Sequence, residues 1–210
     1  GLFRKITVLE LTLSFFVVAA PAVVFAGVSK GGFGSGAAFV SASILALVVD
    51  PGIALAVMLP ILMLMDVAAL WSYWGKWNLR ASIILILGAL PGIIIGAALY
   101  ARTDADVFRV IIGIISVAFV MWQVSVERGW VRVAAQSLPK WAGALAGLVA
   151  GFTSFVSHAG GPPAALYLLS LKPNKTEYQA STVLVFWIIN VAKFLPYASL
   201  GLFTVETGMA

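Results

Sequence analysis

GIALAVMLPILMLMDVAALWSYW, running from Gly52 to Trp74, contains a single charged side chain, Asp66. A helix rises about 1.5 Å per residue, so about 20 apolar residues cross a hydrocarbon core of roughly 30 Å. This stretch is long enough to span a bilayer. It is also continuously apolar, whereas a membrane β-barrel shows alternating segments of roughly ten residues.

The same ruler, moved outward along the chain, marks seven further apolar runs: Val8–Val28, Gly34–Val49, Ala81–Tyr100, Val107–Val124, Leu138–Ser157, Gly161–Leu171 and Tyr178–Leu200. Composition agrees, with 62% hydrophobic residues, 10% charged residues and a mean hydropathy of +1.07. Soluble domains carry about 45–50% apolar and about 25% charged residues. The expected fold class is therefore an all-α polytopic integral membrane protein. Arg4 and Lys5 before the first run imitate a signal peptide, but Glu10 interrupts that run and it continues into a glycine-rich motif. The formal net charge of +5 is scattered over short loops and forms no basic stripe, so no nucleic-acid partner is expected. Zero cysteines exclude disulfides, thiolate metal sites and cysteine nucleophiles.

The second and seventh runs are short, and each follows a cluster of glycine or proline that a continuous helix tolerates poorly. Broken or half-helices are expected there, after the first and sixth segments. Sliding the sequence on itself places Gly27 on Gly151, Gly36 on Gly160, Asp50 on Asn174, Asp66 on Asn190 and Tyr73 on Tyr197, with no gap. Two units follow, residues 1–124 and 125–210, each of about five segments. An odd number of crossings inverts the second unit relative to the first, as in many secondary transporters. Ala210 falls opposite Ile86, so the second copy is incomplete, and the repeat predicts roughly one and a half to two further helices. Under simple alternation Lys76, Arg80, Arg128, Arg132, Lys140, Lys172 and Lys175 share one side, and Arg4, Lys5, Arg102 and Arg109 the other, which favours an external N terminus.

The first break reads Gly27-Val-Ser-Lys30-Gly31-Gly32-Phe-Gly34-Ser35-Gly36. Its glycines free backbone N–H groups at the start of a half-helix, where the dipole favours an anion, and Lys30 adds a full positive charge. A lysine in hydrocarbon costs about 2.5–3.5 kcal/mol on insertion scales unless it faces a wet cavity or a counter-charge. Snorkelling to an interface is the plainer account of the same residues. The second break reads Gly151-Phe-Thr153-Ser154-Phe-Val-Ser157-His158-Ala-Gly160-Gly161-Pro162-Pro163. His158 is the one histidine of the chain; an imidazole there donates to an oxyanion, titrates near neutrality and couples movement to protons, or simply bonds a helix carbonyl. Asp66 and Asn190 sit at equivalent mid-segment positions, and a buried carboxylate calls for a partner such as Lys30 or Lys193. Asp66, Asn190, Lys193 and His158 are accordingly candidates for coupling or gating. Gly88-Gly92-Gly96 and Gly143-Gly147-Gly151 each align on one helical face, a packing signature. Trp71, Trp74 and Trp77 beside Lys76 mark a membrane interface.

At the two breaks the sequence resembles the TauE/SafE family of membrane anion exporters. The resemblance implies secondary export of small sulfur-containing anions, such as sulfite or organosulfonates like sulfoacetate, across the bacterial inner membrane. It further implies that Lys30, Gly31, Gly32, Gly34, Ser35, Gly36, Thr153, Ser154, Ser157, His158, Gly160 and Gly161 meet near the midplane to bind the anion. The expected partners are that oxyanion and the lipid bilayer; a homodimer stays open. No catalytic residue, metal or cofactor is expected. An anion channel is the alternative within transport, and an intramembrane enzyme lacks a zinc triad or a recognisable dyad.

Overall fold

The computed structural model describes residues 43–47, 49–130 and 137–203, and among these it is helical with no strand. The helices from residue 50 onward are α1 (Pro51–Tyr73), α2 (Leu79–Arg102), α3 (Ala105–Glu127), α4 (Lys140–Ser157), α5 (Gly161–Ser170) and α6 (Lys175–Ser199). Each begins within three residues of the run expected from hydropathy. The starts are set by polar caps: Asp50, Asn78, Asp104 and Asn174 each accept a backbone N–H of the first turn through the side chain, which satisfies donors that a helix leaves open. Pro60 and Pro91 lie inside α1 and α2 without ending them.

Helices α1, α2, α3 and α6 are each long and apolar enough to cross a membrane. Their outer faces carry Leu64, Val67, Ile94, Val110, Ile114, Val117 and Leu195 exposed toward the surroundings, a cost that a lipid solvent removes. The chain is a multi-pass, all-α membrane protein.

Helices α2 and α4 run parallel and touch backbone to backbone. A Cβ on Gly88 would strike the Ala144 carbonyl, one on Gly92 the Leu148 carbonyl, one on Gly147 the Leu85 carbonyl and one on Gly151 the Ala89 carbonyl. The two glycine ladders read from sequence thus face each other, and small residues let the axes approach where lipid supplies no hydrophobic drive between helices.

Helix α5 folds back along α4. Gly160 packs on Ala150 and Ser154, Gly143 lies under the Tyr167 ring, and Leu138 N–H donates to Ser170 Oγ. The pair is a hairpin whose tip is the stretch 158–160. Helix α6 then starts beside the beginning of α2, where Asn78 N–H donates to Ser181 Oγ and Asn78 Nδ2 to Glu177 Oε1. It runs antiparallel to α1, so that Ser199 and Leu200 arrive next to Asp50 and Pro51 around a polar cavity of about 470 Å³. One end of the bundle therefore collects Lys76, Arg80, Arg128, Lys140, Lys172 and Lys175. The opposite end collects Asp50, Asp104 and Asp106 with Arg102 and Arg109. Trp71, Trp74 and Trp141 stand exposed at the cationic end, the position that indole rings favour at a membrane–water boundary.

Candidate functional site

The α4–α5 hairpin tip owes its shape to His158. Helix α4 closes with His158 N–H donating to Ser154 O and Ala159 N–H to Thr153 O, and His158 takes the left-handed conformation, φ 56°. Outside glycine that region costs roughly 1–2 kcal/mol per residue, which the hydrogen bonds of this side chain help to offset. His158 Nδ1 lies 2.9 Å from Lys193 Nζ of α6, and Nε2 faces Leu55 O of α1 at 3.4 Å. The ring thus clips three elements together.

Lys193 is fully buried, at 0% exposure. Its ammonium donates to Ser154 O at 3.1 Å and to Ser154 Oγ at 3.0 Å, besides the imidazole. A lysine taken out of water is costly unless acceptors surround it; here three acceptors gather on one nitrogen. Tyr197, one turn further along α6, donates its hydroxyl to Phe155 O at 2.8 Å and sets its ring edge-on to that of Phe155, centroids 4.9 Å apart. The last turns of α4 are therefore fastened to α6 by Lys193 and Tyr197 together.

One turn before Lys193, about 4.5 Å along the axis, Asn190 Nδ2 donates to Asp66 Oδ2 at 2.7 Å. Both residues are buried. These are the two residues matched across the 124-residue register, and they meet directly.

Other candidates are divided among different faces. Thr153 Oγ1 turns back to Val149 O and lines an apolar cleft of about 280 Å³ with Phe119, Trp122, Pro162 and Pro163, away from the ammonium. Ser157 is buried and donates to Thr153 O. Gly160 is tightly packed against Phe186 as well as α4, which gives it a steric role. Pro162 and Pro163 bring no N–H to the first turn of α5, so that helix start offers an anion fewer amides than its glycines suggest. Positive charge at this break comes from Lys193. Lys30, Gly31, Gly32, Gly34, Ser35 and Gly36 lie outside the described residues.

Sequence reading overlooked the Leu55 carbonyl. A backbone acceptor inside an apolar run leaves no signal in residue type. Tyr197 was visible only as a match to Tyr73.

Compared with known families, residues 19–210 match the model described as sulfite exporter TauE/SafE. The chain belongs to the TauE/SafE family. This TauE/SafE protein therefore sits among membrane transporters, and the family implies anion export, not catalysis. Neither the curated proteins nor the solved structures contain a match to it.

Proposed function

We propose that this TauE/SafE member is a secondary exporter of small sulfur-containing anions, sulfite or organosulfonates such as sulfoacetate, in the inner membrane of a bacterium. The observation that carries the reading is Lys193: a lysine at 0% exposure, held at the tip of a re-entrant helical hairpin by Ser154 and His158. Membrane-buried cations facing a helix break mark substrate paths. Ser154 and His158 of the second break, with Lys193 of α6 beside them, form one half of the site in this reading, and Lys30 with its glycines and Ser35 the other half. The bilayer and the oxyanion are the partners this reading needs.

Alternating access follows from an inverted repeat, and the geometry around Asp66 and Asn190 supports one. Helices α1 and α6 are antiparallel, and residues related by the register contact each other. A twofold axis lying in the membrane plane requires both at the point where it passes. The cationic, tryptophan-lined end is cytoplasmic in this reading, by the bias of Lys and Arg in short loops.

The test is flux from proteoliposomes loaded with radiolabelled sulfite or sulfoacetate. Saturable, anion-selective efflux that Lys193→Met abolishes is the expected result. Non-saturating flux without dependence on a proton or counter-ion gradient would make it a channel, and preference for a cation or an uncharged solute would overturn the anion site.

A further inference from the structure

The contact between His158 and Lys193 constrains protons as well as substrate; the argument rests on the anion-transport reading above. Two donors cannot bond head to head. With Nζ and Nδ1 2.9 Å apart, one atom holds a proton between them and the other offers a lone pair. The pair therefore does not carry two positive charges. Nε2 faces the Leu55 carbonyl, which only accepts, and keeps its proton, while Nζ meets Ser154 O, Ser154 Oγ and Nδ1, three acceptors that match the three N–H donors of an ammonium. Lys193 is thus the ammonium donor, and Nδ1 the bare acceptor.

An anion entering the break competes with Nδ1 for that ammonium, and a full negative charge is the better acceptor. We propose that the Lys193–His158 pair couples each bound anion to one proton. The anion draws Nζ away from Nδ1, and Nδ1, now without its donor, takes up one proton that the aqueous buffer gives up. Charge balances: the pair goes from one positive charge to two, and what moves is the anion plus one proton. Among the described residues, the other ionisable side chains buried on elements packed around the tip are Asp66 on α1, Tyr167 on α5 and Tyr197 on α6. Asp66 accepts from Asn190 through Oδ2, the Tyr167 ring covers Gly143, and Tyr197 donates to Phe155 O. The sulfur anions fit this device because they stay ionised at neutral pH and cannot carry the proton themselves when they are sulfonates.

The test uses the full chain in detergent with sulfoacetate, which is ionised at both acid groups at neutral pH. Calorimetric titration in two buffers of different ionisation heat counts the protons taken up, and about one per anion is expected. Since the chain has a single histidine, nitrogen-15 histidine labelling reports His158 alone. The ring should be neutral with its proton on Nε2 before sulfoacetate is added, and protonated on both nitrogens afterwards. His158→Asn keeps an acceptor for Lys193 and tolerates the left-handed backbone; it should bind sulfoacetate about tenfold more weakly and take up no proton. A ring already charged without the anion, or still neutral with it bound, overturns the coupling. Binding without proton uptake overturns the coupling alone and leaves anion transport standing. If neither sulfoacetate nor sulfite binds the wild-type chain, the transport reading and the coupling both fall.

Discussion

Substituting Gly151 by alanine adds one methyl group where α4 meets α2, and its effect follows from where that methyl would sit. Its carbon would lie 2.7 Å from Ala89 Cα and 2.8 Å from the Ala89 carbonyl carbon, and closer still to the oxygen. Ordinary contact begins at 3.4 Å. The obstructing atoms are backbone, so no rotamer change relieves them and the two helices must part by about 1 Å along their shared face. Overpacking of this kind costs about 1–3 kcal/mol, and a chain of this size loses about 2–4 °C of melting temperature per kcal/mol. A fall of about 3–10 °C is expected for Gly151→Ala in detergent, followed by fluorescence-detected size exclusion after heating. Gly113→Ala in α3 is the control, because nothing lies within 4 Å of a Cβ there; alanine is the better helix former by up to about 1 kcal/mol, so it should melt at or slightly above wild type. Gly92→Ala, which meets the Leu148 carbonyl across the same face, should cost a similar amount alone and less than that on top of Gly151→Ala, since one separation relieves both clashes. Equal melting of Gly151→Ala and Gly113→Ala would refute the ladder-on-ladder packing.

Three further outcomes follow from single contacts. Exchanging the central pair, Asp66→Asn with Asn190→Asp, preserves one carboxylate and one amide and should fold near wild type, whereas Asn190→Leu removes the donor that Asp66 Oδ2 uses and should cost about 1–3 kcal/mol in thermal unfolding. Tyr197→Phe deletes the hydroxyl held by Phe155 O and should lower stability by about 0.5–1.5 kcal/mol, while Tyr73→Phe at the matching position, with its ring partly exposed, should cost less. Single cysteines at Lys76 and Lys175, introduced into a chain that has none, should react with an impermeant maleimide from one side of the membrane and a cysteine at Arg102 from the other; labelling of Lys76 and Lys175 from opposite sides would break the topology.

Hydropathy made the described helices legible because each crossing is written as a long apolar run, and there it erred by a few residues at ends where Asp50, Asn78, Asp104 and Asn174 cap; the run Val8–Val28 and most of Gly34–Val49 lie outside the described residues. The hairpin was half legible: Gly160-Gly161-Pro162-Pro163 announced a break, but not that α5 would lie back on α4, since that depends on Tyr167 covering Gly143 and Ser170 reaching Leu138 in three dimensions. Within the site, Ser154, His158 and Lys193 could each be picked out as polar residues in apolar runs. Their assembly could not be read, because His158 and Lys193 are far apart in the chain and any of several helix rotations would satisfy the same hydropathy. Thr153 shows the converse: it is adjacent to Ser154 in sequence, yet a helix turns about 100° per residue and delivers its hydroxyl to a different face.

The symmetry of the framework contrasts with the asymmetry of its charges. Position 50 and position 174 are both side-chain caps, and positions 66 and 190 touch each other, so the scaffold residues keep their roles across the register. The polar residues at the breaks do not. His158 falls opposite Gly34, and Ser154 and Lys193, which bond each other, fall opposite Lys30 and Ala69. One lysine thus falls at this pair of positions on each side of the register, Lys30 in the glycine-rich stretch of the sequence and Lys193 on α6. The proposed exporter, presenting one anion site to two sides, calls for equivalent frameworks that exchange roles as it alternates. In the proposed coupling one proton-accepting group is enough to make that exchange depend on pH, and the single imidazole of the chain stands where the lysine comes from the neighbouring helix.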